Sequence, residues 1–456
     1  MDSNTKQTIT LDQMRSTYGP NCKSKYKPRV GFEWEVQLFT ADWKPLNYQG
    51  AQGLDRILIH AQRQHGGMRS QPNNGAGPAN KLALPDGSGL SLEPGGQFEY
   101  SSAPAASFAD VTTGIEFFEQ LLQDITKKFD VHVFFGGMNP VHSVDDIGLV
   151  IDTPRYQRMN RYFPTVGTRG RAMMRQSCSL QVSFDYENHE DAATLLRAAQ
   201  YLAPLCGGLF ANSPFVDGKR NQYLSNRVPV WFDTDPARCG PVPGFTDNDF
   251  SIDRYINHIR DAPLFFLERP NDAGQIELIE TMGATFRDLN TRKLAPITAN
   301  MDDYELHKST IFTDVRLKNT VELRTIDCQR PEFVPGILAF LSGLLFCKRA
   351  RQATISLLSQ LDVPDWHTLS LDLAKDPYNT PLRQMAGTES KLQDVALQLL
   401  ASARNGLSQC FEDGAQSLHH LDAIEGLFQA ARTPAHDVLD TFGDNDAQGW
   451  LKSMKI

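Results

Sequence analysis

Four segments of the chain carry glutamate, glutamine and arginine at alternate positions. "VGFEWEVQLF" (Val30–Phe39) sets Glu33, Glu35 and Gln37 between Phe32, Trp34, Val36 and Leu38, and "GQFEY" sets Gln97 and Glu99 against Phe98 and Tyr100. "SLQVSFD" sets Ser179, Gln181, Ser183 and Asp185 against Leu180, Val182 and Phe184, and "VELRT" sets Glu322 and Arg324 against Val321 and Leu323. Residues two apart on a strand share a side, so each segment reads as an amphipathic strand whose polar groups converge on whatever that side faces. The plain interpretation is the wet face of a two-layer protein, since antiparallel sheets often face water. Against it, the set is poor in Lys and Thr and rich in Glu and Gln, and its one strongly basic member, Arg324, lies two residues from Glu322. Glutamates gathered on the concave side of a curved sheet repel one another unless cations bind there. Hard cations with oxygen ligands, Mg²⁺ or Mn²⁺, are the natural partners. Two or more such ions with arginines at the rim suit phosphoryl transfer from ATP, in which metals neutralise phosphate oxygens and Arg stabilises the transferring group. The chain has no G-x-x-x-x-G-K-[ST] loop and no kinase signature set, so a nucleotide site here is of another kind.

The elements around these strands alternate with them. Leu11–Tyr18 reads as a short helix, and Gly53–Gln64 as a longer one with Leu54, Ile57, Leu58 and Ala61 on one face. "GGMRSQPNNGAGPAN" (Gly66–Asn80) is a Gly/Asn/Pro-rich loop, a surface connection or a mobile lid. Asp86-Gly87 and Pro94-Gly95-Gly96 mark turns. A helix is expected from about Ser107 to Phe129, a buried strand at Val131–Phe135, a helix over His189–Leu205, and a Pro/Gly-rich connection over Ser213–Pro243. From about residue 332 the chain reads as mostly helical. Thr433 is expected to cap the last helix, with Pro434 at its first position. Amphipathic strands with intervening helices predict an α+β fold, a mainly antiparallel sheet with helices on one face, and the length allows one large domain or two to three ordinary ones.

The chain has 456 residues, 41% apolar and 22% charged, with a net charge of −9, so no general attraction to nucleic acid or an anionic membrane is expected. The longest apolar run, "GILAFLSGLLF", is too short to span a bilayer. The seven cysteines are scattered, odd in number and without a C-x-x-C pair, which predicts a reducing compartment and a cytoplasmic protein.

At "SLEPGGQFE" (Ser91–Glu99) the sequence resembles the glutamate–cysteine ligase family in its plant and proteobacterial branch. "GFEWE" is similar to the family's G-x-E-x-E strand, and "PRYQRM" with "YFPTVGTRGRAMM" to its next segment. "LFANSPFVDGKRNQYLSNR", "WFDTDPARCG", "HKSTIFTDVRLKNTVELRTID" and "RTPAH" follow in the family's order, so the resemblance covers roughly residues 10–445. It implies a glutamine-synthetase-like sheet curved into a funnel, in a single catalytic domain over 1–456. It also implies an ATP-dependent reaction: the γ-carboxylate of glutamate is phosphorylated, and the amine of cysteine then attacks to give γ-glutamylcysteine, the first step of glutathione biosynthesis.

The resemblance further assigns roles. Glu33, Glu35, Glu93, Glu99 and Glu322 fall on metal-binding positions for two or three Mg²⁺ ions. Gln181 falls where more distant ligases place a metal-binding histidine. Arg324 is implied to stabilise the γ-phosphate or acyl phosphate, and Arg155 and Arg227 to hold a substrate carboxylate or phosphate. Gln97 and Phe265 are implied substrate contacts, and Asn212, Ser213 and Lys219 members of the pocket wall. Glutamate and cysteine supply both nucleophiles, which accounts for the lack of a Ser/His/Asp or Cys/His constellation. Ser183, Phe265 and Gln176 depart from the family's usual residues nearer the acceptor, so a γ-glutamyl ligase for another amine is the rival expectation. A silent binding homologue is a third, disfavoured by the intact acids. His307 reads as a structural residue or a substrate contact.

Overall fold

The computed structural model describes residues 8–23, 29–70, 78–271, 274, 276–291 and 297–454. Its centre is a nine-stranded antiparallel sheet. In chain order the strands are β1 (Val30–Thr40), β2 (Met68–Ser70), β3 (Lys81–Ala83), β4 (Gly89–Leu92), β5 (Phe98–Ser101), β6 (Val131–Phe134), β7 (Ser179–Phe184), β8 (Val315–Leu317) and β9 (Val321–Asp327). Across the sheet they run β8-β9-β7-β1-β5-β4-β3-β2, with β6 on the far end of β1. With eleven residues, β1 is long enough to pair with β5, β6 and β7.

Alternation along β1 sends Phe32, Trp34 and Val36 to one face, where all are buried. Helix α1 (Phe108–Phe129) lies on that face. Ser107 accepts from the Asp110 amide and Asp110 returns a bond to Ser107, closing a capping box where the helix is expected to start. Trp34 meets Phe118 of α1 edge-on at 5.4 Å and Phe135 at 5.6 Å. Helix α2 is Pro154–Tyr162, and α3 runs over His189–Leu209, one turn beyond the expected end. Helix α4 (Arg227–Phe232) interrupts the connection expected over 213–243. The apolar run becomes α5 (Val334–Leu345), buried on all sides against α6 (Leu392–Cys410). Thr433 caps the helix Pro434–Phe442, but this is not the last helix as expected, since Ala447–Ser453 follows it. Among the described residues no helix is long and apolar enough to cross a membrane.

Of the loop expected at 66–80, Met68–Ser70 forms an edge strand instead, while residues 71–77 lie outside the described residues, and the lid expectation with them.

Candidate active site

The register of the sheet decides which polar groups meet. Glu35 stands directly opposite Glu99, and Glu99 opposite Ser91. Glu33 stands opposite Gln181 on one side and Ser101 on the other. Arg316 faces Glu322, which faces Ser183. The ladder between β9 and β7 slips between Leu323 and Ile326, and next to this irregularity Arg324 reaches Gln181. Glu93 enters from the turn between β4 and β5. Gly96 adopts φ +85° there, and a Cβ on Gly95 would lie 2.4 Å from the Arg175 carbonyl oxygen, so the "EPGG" turn needs both glycines.

These groups surround one cavity of about 630 Å³. Glu33, Glu35, Glu93 and Glu99 line it from β1, β5 and the turn. Arg316, Lys318 and Arg324 line it from β8 and β9 and the turn between them, with Arg155 from α2 and Arg227 from α4. Gln181 links the two halves: its Nε2 donates to Glu35 at 3.1 Å, and its Oε1 accepts from Arg324 at 2.7 Å.

The acids are crowded. Burial pushes the Glu35 carboxyl up to about 7, with Arg227 opposing and Glu93 adding to the rise. Burial, with Glu93 and Glu35 beside it, pushes Glu99 up to about 8. Glu33 is also well above the ordinary range, through burial and then Glu99 and Glu322. Protein donors reach some of these carboxylates. The Ser179 amide and hydroxyl donate to Glu35 at 2.6 and 3.0 Å, and Ser91 and Ser101 donate to Glu99 at 2.7 and 3.1 Å. The Tyr156 hydroxyl donates to Glu93 at 3.4 Å. Glu322 differs. Arg316 bridges both its oxygens at 2.8 and 3.3 Å and Arg324 adds a contact at 2.9 Å. Burial pushes Glu322 up, but the two arginines outweigh it and hold the carboxyl at about 2.

Oxygen donors crowded until some retain a proton are the donor set a hard divalent cation would displace protons from. In the arrangement described, no three His, Cys, Asp or Glu among the described residues are gathered closely enough to hold an ion.

Other sequence-derived site residues stand further back. Gln97 borders the cavity but is 3% exposed, donating to the Met174 and Ser177 carbonyls and accepting from the Gly95 amide. Phe265 does not line the cavity; it lies under the Arg238 guanidinium, 3.8 Å from the ring centroid, and meets the cavity-lining Phe312 at 6.5 Å. Asn212 and Ser213, expected in the wall, are buried behind it. Both bond the carboxylate of Asp327, and Ser213 accepts from the amide of Asn226, the N-cap of α4, so they set the position of Arg227. Lys219 is exposed on a two-residue strand outside the cavity. His307 is 2% exposed and bonded to the Ile259 carbonyl at 2.7 Å, a structural placement. Arg316, Lys318, Tyr156 and Trp231 were not singled out in the sequence, although "VRLK" repeats the alternation that marks the other strands.

A sequence profile of the Glutamate-cysteine ligase family 2 (GCS2) matches residues 29–454. The chain belongs to this family. Among the relatives of this family member, the chloroplastic glutamate–cysteine ligase of Nicotiana tabacum is 30% identical over 441 residues, covering 96% of this chain and 80% of that protein. The chloroplastic enzyme of Arabidopsis thaliana is 30% identical over 440 residues, with the same shares covered. The crystal structure of the glutamate–cysteine ligase of Francisella tularensis in complex with AMP superposes with a TM-score of 0.56 at 13% identity, over 94% of this chain and 88% of that one; the fold is shared. The cytoplasmic location expected from the cysteines is overturned by the plant relatives, which are chloroplastic. Unpaired cysteines indicate reducing surroundings, not which compartment supplies them.

Proposed function

We infer that this family member ligates the γ-carboxylate of glutamate to the amine of cysteine at the expense of ATP. One observation carries the reading: a chain of this family brings four crowded carboxylates and six basic side chains to one cavity of about 630 Å³. A γ-carboxylate oxygen of glutamate attacks the γ-phosphorus of ATP and ADP leaves. The cysteine amine then attacks the acyl carbon of the γ-glutamyl phosphate, and phosphate leaves.

In this reading Arg324 and Arg316 are aimed in advance by Glu322 and stabilise negative charge on the transferring phosphoryl group. Glu322 acts mainly through these arginines, since both its oxygens are engaged by them. Arg227 and Arg155 hold anionic substrate groups; Arg155 donates only to Ser309 among the described residues. Glu33, Glu35, Glu93 and Glu99, with Gln181 beside them, are the residues that would hold Mg²⁺ or Mn²⁺ after side-chain rotation within the cavity. Ions held there would supply positive charge to offset that of the phosphate oxygens. Gln97 stiffens the wall, and Phe265 supports it through Phe312. The sheet is read as a funnel of the glutamine-synthetase type, with the chain acting as one catalytic unit. An assay of phosphate release and product mass, with ATP, Mg²⁺, glutamate and a panel of amines, tests the reading. γ-Glutamylcysteine is expected as the main product; another amine adduct in its place would reassign the acceptor, and no phosphate with any amine would end the proposal.

A further inference from the structure

Behind the arginines lies a second hollow of about 20 Å³, which shares Arg227, Arg324, Trp231 and Phe312 with the main cavity. The acidic residue on its wall is Asp314, just ahead of β8. The backbone of Asp314 is fixed on both sides: its amide donates to the Gly240 carbonyl at 2.9 Å, and its carbonyl accepts from the Arg324 amide at 3.0 Å. Asp314 is 8% exposed; burial pushes its carboxyl up to about 7, and Arg227 and Arg324 oppose the rise. Arg227, also on the wall of this hollow, is 2% exposed, and its Nε is sealed from solvent with no acceptor. Arg324 is different, because Gln181 and Glu322 already accept from it. A buried carboxylate and a buried N–H each cost free energy unless they find partners, and both belong to residues that line this hollow. The hollow exceeds the roughly 10–15 Å³ that one water needs.

We propose that Asp314 is a positioning residue for Arg227, its carboxylate and the Arg227 Nε–H being bridged by one water held in this hollow. The bridge fixes the guanidinium from behind and leaves its other nitrogens to donate to an anionic substrate in the main cavity. In its ionised form Asp314 also sets a negative charge behind two neighbouring guanidinium groups, which lowers their mutual repulsion.

The inference rests on the ligase reading for its substrate, and a double-mutant cycle separates the two. Asp314→Asn keeps the shape of the side chain and removes its charge. Relative to the wild type it should lower kcat/KM by about tenfold to a hundredfold. The loss should appear in the same KM, for glutamate or for ATP, that Arg227→Lys raises, with the melting midpoint unchanged. The double variant should be no worse than Arg227→Lys alone, because Asp314 acts through Arg227. Wild-type constants for Asp314→Asn, penalties that multiply in the double variant, or a lowered melting midpoint with KM unmoved would overturn the proposal. If the wild type itself made no product, the ligase reading would fall. Calorimetric titration of the same four proteins with ATP and with glutamate would then carry the cycle.

Discussion

The two faces of the main sheet are made by the same strands and differ at every second residue. On one face Trp34, Phe98, Leu180, Val182 and Leu323 are all 0% exposed, packed among themselves and beneath helices such as α1. On the other, one residue away each time, Glu33, Glu35, Glu99, Gln181 and Arg324 gather round a cavity, with Glu322 behind them on Arg316 and Arg324. The apolar face gains free energy from every residue it buries. The cavity face does the reverse: Glu35 and Glu99 sit directly opposite each other, an arrangement that destabilises a strand pair when both are charged. Stability and chemistry are thus divided between neighbouring residues of one strand, and substitutions on the two faces should separate cleanly.

The largest effect is expected from Trp34→Ala. It empties a site packed by Phe118 and Phe135 and should cost about 3–5 kcal/mol of folding stability in denaturant titrations. One residue on, Glu35→Gln should leave the denaturation midpoint in place and reduce kcat by about a hundredfold to a thousandfold, as loss of one transition-state partner typically does. Unchanged activity would remove Glu35 from the site. Arg324→Lys should reduce kcat by about a hundredfold, because an ammonium cannot reproduce the planar fork that donates to both Gln181 and Glu322. A variant with raised KM and normal kcat would place Arg324 in ground-state binding instead.

The smallest effect sharpens the comparison by sign. The folded-state carboxyl of Glu99 lies near 8, above its ordinary 4.5, so the metal-free fold loses stability as pH rises from 4.5 through about 8. Glu99→Gln should lose less over that range, becoming more stable than the wild type by about 1 kcal/mol at pH 9 without divalent ions. Melting curves at pH 6 and pH 9 read the difference; a variant less stable than the wild type at pH 9 would show that Glu99 is not strained by its neighbours.

Alternation made both faces legible in the sequence, because a period of two fixes which side each residue takes whatever its partners are. Ser107 and Thr433 were legible for a similar reason, since a helix cap is a local interaction. What depends on long-range geometry was not legible. The slip after Leu323 helps bring Arg324 to Gln181, and nothing local in "VELRT" announces it. Asn212 and Ser213 lie in a segment resembling a site motif, yet they act from behind through Asp327 and the start of α4. Phe265 sits one layer back, held by the buried Arg238, a packing relation across 27 residues of chain. Arg316 and Lys318 were within reach, for the alternation of "VRLK" puts both on one side of β8 and its continuation.

The central claim is that carboxylates from β1, β5 and the turn before β5 meet around divalent ions in this cavity. Anomalous scattering from crystals grown with Mn²⁺, ADP and glutamate tests it most directly. The account predicts manganese peaks within coordination distance of Glu35 and Glu99, with Glu33 or Glu93 completing the set. Manganese bound only elsewhere on the molecule, with these four side chains unliganded, would contradict it.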